Sequence, residues 1–492
     1  MRNLLTACIL ILMAGLCLLA CKHEPQYPAS PSDAAIVSSG FPDEIGKIFV
    51  ERCATAGCHN AQSYENSAGL QLDSWENLFN GSASGAVVIP FSSANSSLLF
   101  YINPDSSLGL KAEPLMPLNS SPLTKEEYLL IKKWVDDGAP DRNGNIPFAS
   151  NAANRQKIYI TNQGCDIVGV VDAEKKVIMR YIPVGATGAP EVPHYLKASS
   201  DGYVYISFIA GTKMQKIDTR TDKVVGELEI GTGSWNAFLV SDDGKKILLG
   251  DFAGGYLILI DAMNMKVETT LKGMAMSYPH GIVSDAAFNT FYVTSQYGNT
   301  VYKFSLDGSF ESVSIDGQPA SINPAIKRNP HEIIMVPDRS KYFLTCDASN
   351  EIRVMDVKTD KVIDSINVGI YPQTMTMSKT KPYLFVTCSE DNSPFPGFKG
   401  SVYVIDYNTN KIVKRIDGPF FQPHGISVDD RNGLLYIANR NIDVSGPAPH
   451  HASSCGGRNG YYLIYDLNTL ERLPKRYEVS VDPYSSDARF DY

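Results

Sequence analysis

The spacing of apolar residues changes character twice along the chain. A nearly unbroken apolar run, Leu4 to Leu19, follows Arg2. From residue 43 to about 140, apolar positions fall at helical spacing. Ile45, Ile48 and Phe49 share one face of a helix predicted over Asp43 to Arg52 (DEIGKIFVER). Tyr128, Ile131, Trp134 and Val135 share a face of a second helix. Thr124 and Glu127 form a capping box at its start, and Gly138 stops it. C-terminal to residue 150 the pattern becomes short β-rich runs between DG, NG and charged turns, with no long amphipathic helix.

The first run predicts export. A basic start, an apolar stretch of this length and a small residue before Cys21 describe a secretory signal, not a membrane-spanning helix. Leu18-Leu19-Ala20-Cys21 resembles the lipobox of bacterial lipoproteins. The resemblance implies cleavage after residue 20, acylation of Cys21, and a membrane partner reached through that lipid, with the outer membrane of the cell envelope as the expected location. Residues 21–42 carry four prolines and small polar residues, and read as a disordered tether holding His23. The remaining length is too great for one ordinary core. Net charge is −9 and no basic run occurs, so nucleic acid is not an expected partner.

After Cys21 the cysteines are Cys53, Cys58, Cys165, Cys346, Cys388 and Cys455. The stretch ERCATAGCHN (51–60) ends like a c-type haem attachment site, yet four residues separate Cys53 from Cys58 where two are usual. Zinc is poorly supported, because residues 43–150 hold only two Cys and one His. A Cys53–Cys58 disulfide is possible but gives His59 no reason. The surroundings favour haem, and Met116 is the sole Met of the region.

Residues 43–140 resemble the small c-type cytochrome domains of planctomycete-cytochrome type. The matching elements are Gly69-Leu70-Gln71-Leu72-Asp73-Ser74, Val88-Ile89-Pro90, Ser96-Ser97-Leu98, Met116-Pro117, and Trp134 to Ala139. Gly commonly follows the Pro in that family; here Phe91 stands there. The resemblance implies one covalent haem c on Cys53 and Cys58, with His59 and Met116 as iron ligands. Such a pair suits electron transfer with a redox partner protein or small-molecule donor or acceptor.

A different pattern recurs beyond residue 150: an apolar strand ending in Asp, a turn, then Lys-Val or a variant. It appears at Asp172, Asp218, Asp261, Asp356, Asp406 and Asp466, with a degenerate copy at VYKFSLDGSF. A period near 45 with four strands per copy is the signature of a propeller blade. The first copy lacks its innermost strand, and PYSSDARF near the other end of the propeller can supply it, leaving no open edge. These repeats resemble the YVTN/YncE-like seven-bladed β-propellers. The expected organisation is a signal peptide (1–20), a tether (21–42), a small all-α cytochrome c-like haem domain (43–150) and an all-β seven-bladed propeller (151–492).

A second recurrence opens the innermost strands: Pro193-His194, Trp235-Asn236, Pro279-His280, Pro330-His331, Pro372-Gln373, Pro423-His424 and Pro483-Tyr484. Seven equivalent positions predict a ring around the channel near one mouth. Long loops are expected on that face (317–329, 389–400, 441–460), the last carrying His450 and His451. Six His are thus expected to converge, either lining a wet funnel or holding a second metal, with His450 and His451 as a lid. Cys165 and Cys455 fall in loops of the first and last blades, so a disulfide is expected at the closure seam. Cys346 and Cys388 are expected to lie too far apart to bond. Two classes of function fit: envelope electron transfer with a propeller site for a substrate, metal or redox partner, or a propeller that is a non-catalytic protein- or glycan-binding module. Oxidoreductase activity is compatible with the first, with no catalytic residue assigned.

Overall fold

The structure, a computed structural model, describes residues 33–272, 276–451 and 453–490. The signal segment, Cys21 and His23 lie outside these residues.

Residues 33–148 form a unit of short helices and loops around their own core. The helices are α1 (Asp33–Ser38), α2 (Asp43–Ile48), α3 (Trp75–Leu78), α4 (Ser97–Tyr101) and α5 (Lys125–Asp136). At the centre, Phe41, Phe49 and Trp134 meet edge to face with ring centroids 5.1 to 6.1 Å apart. This corrects the extent of the expected tether. Residues 33–42 belong to the folded unit, because Ile36 and Phe41 are buried in it. The polar composition around them hid two anchoring side chains.

α5 starts as its sequence predicts. Thr124 Oγ1 accepts the Glu127 amide at 3.2 Å, and the Glu127 carboxylate accepts the Thr124 amide at 2.7 Å. The helix stops at Gly138, whose φ of +100° brings its α-carbon against the Phe91 ring. Phe91 itself sits at φ +66°, so the turn after Pro90 keeps a left-handed residue without glycine. Its amide donates to the Val135 carbonyl at 2.9 Å, and the Arg180 guanidinium lies 5.1 Å from its ring centre. Those contacts offset the backbone cost.

Residues 157–488 form a seven-bladed β-propeller of four-stranded antiparallel sheets. Blades 2 to 7 span 193–229, 235–271, 279–314, 330–367, 372–416 and 423–481. Blade 1 combines 157–183 with Pro483–Ala488, which supplies its innermost strand. There Ile158 pairs with Ala488 and Tyr159 with Asp487. The strand Lys157–Asn162 is thereby paired on both sides.

The repeating Asp is a turn device. Its Oδ1 accepts the amides two and three residues on, as at Asp172 (2.8 and 2.9 Å) and Asp466 (2.8 and 2.9 Å). The recurring signal therefore encodes hairpins, not chemistry.

The helical unit docks on blades 1 and 7. Ile89 is buried with Ile178, Tyr477 and Val479. The Glu478 amide donates to the Ser84 carbonyl at 2.8 Å, and Tyr101 Oη to the His450 carbonyl at 3.1 Å. Ser454 Oγ meets Asn95 Oδ1 at 2.9 Å.

Candidate functional site

The helix predicted over Asp43 to Arg52 ends early, at Ile48. Beyond it Phe49–Cys53 form one wide π-type turn, in which the Ala54 amide reaches the Phe49 carbonyl at 2.8 Å. This widening carries Cys53 into the core, where burial pushes its thiol up to about 12. The following loop folds back on itself. The Cys58 amide donates to the Thr55 carbonyl at 3.0 Å, and the His59 amide to the Cys53 carbonyl at 3.1 Å. The longer spacing therefore still brings both ends of the motif together. Cys53 and Cys58 are free thiols, and Cys58 is half-buried.

The His59 ring meets two backbone groups: its Nδ1 lies 3.1 Å from the Leu70 carbonyl, and Ser67 is the other. A carbonyl only accepts, so Nδ1 carries the proton and Nε2 keeps its lone pair. Burial lowers the pKa of His59, which favours this neutral form. The Leu72 amide donates to the His59 carbonyl at 2.8 Å, so the Gly69–Ser74 element holds the His from both sides. Asp73 secures that element by accepting the Ala61 amide at 3.0 Å and Asn77 Nδ2 at 3.1 Å. Met116 packs against the core that buries Cys53, and its amide donates to the Tyr101 carbonyl at 2.7 Å.

Sequence reasoning missed Arg52. Its guanidinium donates to the Glu127 carboxylate at 2.6 Å and to the Ser121 carbonyl at 2.7 Å, tying the motif to the segment beyond Met116. Glu127 was legible only as a cap.

The second cluster lies on the propeller's innermost strands. His194, Asn236, His280, His331, Gln373 and His424 are all buried, and Tyr484 completes the ring. Ring centroids of His280 and His331 are 3.9 Å apart, those of His424 and Tyr484 3.8 Å, and those of His194 and Tyr484 4.4 Å. His424 Nδ1 lies 2.9 Å from the Tyr484 carbonyl, and His194 Nδ1 is 2.7 Å from Gln163 Nε2. His280 Nδ1, His331 Nδ1 and His424 Nε2 are buried without hydrogen-bond partners. Burial, with the neighbouring imidazoles and Arg440 adding to it, pushes His194 down to about 3. Burial takes His331 to about 4, and His280 and His424 also fall well below their ordinary value. All four are neutral at pH 7.

Among the described residues, no group of three or more His, Cys, Asp or Glu is arranged to hold a metal ion. His280 and His331 face one another as tilted rings, while His194 and His424 lie against Tyr484. The expectation that His450 and His451 cover the ring as a lid is corrected. The helical unit captures their loop: His451 lies 6.5 Å from the Phe100 ring centre and 3.2 Å from the Glu478 carboxylate. His451 borders a cavity of about 30 Å³ between the two units.

Cys165 and Cys455 are disulfide-bonded, with Cα atoms 5.6 Å apart. Cys346 and Cys388 are buried free thiols.

No family model matches the chain. A segment of it is 32% identical over 244 residues to Antigen Lp49 of Leptospira interrogans serogroup Icterohaemorrhagiae serovar copenhageni (strain Fiocruz L1-130). The match takes in 48% of this chain and 52% of that protein, so the chain spans about half the length of the curated relative it matches. Among solved structures, Kuenenia stuttgartiensis hydrazine synthase is similar at 16% identity and a TM-score of 0.48, over 61% of this chain and 90% of that one. A streptogramin B lyase is similar at 14% identity and a TM-score of 0.48, over 67% and 91%. These likenesses bear on neither activity nor substrate.

Proposed function

We propose that the protein is an exported, lipid-tethered electron-transfer protein whose helical unit carries one covalent haem c. The observation that carries this reading is the hydrogen bond from His59 Nδ1 to the Leu70 carbonyl, beside two free thiols. It leaves Nε2 as a neutral donor to metal, the state that a proximal ligand needs. The donor set suits the group: two thiols for thioether bonds, an oriented imidazole, and a thioether sulfur at Met116 on the same core. When bound, the haem supplies one-electron redox chemistry at a potential raised by a His/Met pair.

The chain's own residues do the positioning. The π-type turn and the folded-back loop hold Cys53 and Cys58 near His59. Leu70 and Asp73 orient the imidazole, and Arg52 ties the motif to the α5 cap. A buried core around Phe41, Phe49 and Trp134 excludes water from one side of the motif. Export is supported by the Cys165–Cys455 disulfide, which belongs in an oxidising compartment. Membrane attachment through Cys21 rests on the lipobox resemblance alone. The partner is a redox protein or small-molecule donor or acceptor.

The test is a pyridine haemochrome spectrum of protein matured with a haem-attachment system. The expected result is one covalent haem per chain, lost in Cys53→Ser with Cys58→Ser. No haem absorption in the wild type would overturn the reading.

A further inference from the structure

The residue before each innermost strand repeats a costly backbone conformation. Val192, Tyr278, Asn329, Tyr371, Gln422 and Asp482 all have φ between +52° and +61°. Each stands two positions before a member of the His-rich ring. Non-glycine residues are uncommon in the left-handed region, and bulky ones there count as outliers. Six blades nevertheless place one at the same point. The repeated turn gives these six side chains equivalent places in their blades.

Two of the six are aromatic and exposed: Tyr278 at 41% and Tyr371 at 44%. Tyr278 is braced from behind. Its ring meets Tyr297 at 4.8 Å and Phe252 at 5.3 Å, and Phe252 in turn lies 6.4 Å from His280. The Tyr371 amide is fixed by Asn350 Oδ1 at 3.0 Å. Exposed aromatic rings on rigid supports offer flat apolar faces to a ligand.

The polar groups around them narrow its chemistry. Arg440 is already engaged, bonding Asp482 at 2.6 and 2.9 Å and lying 4.8 Å from the Tyr484 ring centre. Burial, with Asp347 and Glu390 adding to it, raises the Tyr371 pKa, so two carboxylate acceptors flank that ring. Asn329 Oδ1, on the rim, is a buried acceptor without a donor. His280 and His331 add neutral nitrogens without partners. Hydrogen-bond acceptors set among aromatic faces match hydroxyls carried on an apolar ring.

We propose that this rim is a saccharide-binding platform, with Tyr278 and Tyr371 stacking on neutral sugar rings and Asn329 taking a hydroxyl. The proposal stands on the propeller alone and is independent of haem.

The test is titration calorimetry of the full chain in detergent against neutral hexasaccharides of glucose, mannose, galactose and N-acetylglucosamine. At least one is expected to bind. Tyr278→Ala and Tyr371→Ala should each weaken that binding about tenfold, the worth of one lost stacking contact. Tyr→Phe at either position should keep it within about twofold. Tyr278→Asn and Tyr371→Asn, whose new side chain tolerates positive φ, should weaken binding while preserving the thermal midpoint. The proposal is overturned if no hexasaccharide binds, or if the double Ala variant binds as well as the wild type.

Discussion

The imidazoles of His280 and His331 lie in contact, ring centroids 3.9 Å apart, though they come from different blades. Neither Nδ1 has a partner. Two such rings share the space only while neutral, so acid should act first on the propeller's centre. Each buried His has a folded pKa below its unfolded value of 6.5. The unfolded chain therefore binds more protons below that pH, and stability falls as pH drops from 6.5 towards 4. Burial pushes Glu332 and Glu478 up to about 7 and Asp347 up to about 6, which opposes the trend. His194, His280, His331, His424 and His451 outnumber those three carboxyls. The expected net loss is about 2 kcal/mol per pH unit near pH 5.5. Urea unfolding midpoints at pH 7.5 and 5.5 check this; an unchanged or higher midpoint at pH 5.5 would refute it.

The Cys165–Cys455 bridge joins blade 1 to blade 7 across 290 residues of chain. Closing so long a loop restricts the unfolded state strongly, and losing it should cost a few kcal/mol, about 2–5. Cys165→Ser with Cys455→Ser should lower the thermal midpoint without changing strand content by circular dichroism. Peptide mapping under non-reducing conditions should recover the linked pair. Cys346 and Cys388, buried and with thiols pushed up by burial, should resist alkylation until the chain unfolds.

Lys157 and Asp222 form a buried ion pair between blades 1 and 2, Nζ to Oδ2 2.7 Å, with side chains 1% and 4% exposed. Tyr159 Oη also donates to Asp222 at 2.9 Å. Removing the carboxylate leaves a buried ammonium, and burial already lowers the Lys157 pKa. Asp222→Ala should therefore cost about 3–5 kcal/mol. Lys157→Met with Asp222→Leu should cost less than Asp222→Ala alone, because no charge is stranded. A larger loss in the double variant, read from chemical unfolding, would show that the pair itself supplies the stability.

Repeated features were the legible ones. The Asp turns recur because each hairpin needs the same side-chain acceptor, so seven blades and the Pro483–Ala488 closure could be read from the sequence. The ring register was legible for the same reason, since Pro-His and its variants mark strand starts. Singular features were hidden. Nothing in EIGKIFVERC announces the π-type turn at Phe49–Cys53, because helical periodicity runs through it undisturbed. Ile36 and Phe41 lie among polar and small residues, so composition made their segment a tether. His450 and His451 read as lid residues from loop position. The contacts of His451 with Phe100 and of Tyr101 with the His450 carbonyl depend on how the helical unit docks, which no local pattern encodes.

Met116 is the position where the electron-transfer reading can be separated from haem attachment itself. The chain fixes it from the backbone side, through its amide to the Tyr101 carbonyl at 2.7 Å, while its side chain packs on the core that holds Cys53. Met116→Ala removes the thioether without touching Cys53, Cys58 or His59. Covalent attachment should persist, since it needs only the two thiols. The reduction potential should fall, because a thioether ligand opposite His raises it. Met116→His should also keep the haem and give a low potential. Potentiometric titration of the three proteins decides the matter. An unchanged potential in Met116→Ala would remove Met116 from the ligand set while leaving His59 and the two thiols in place.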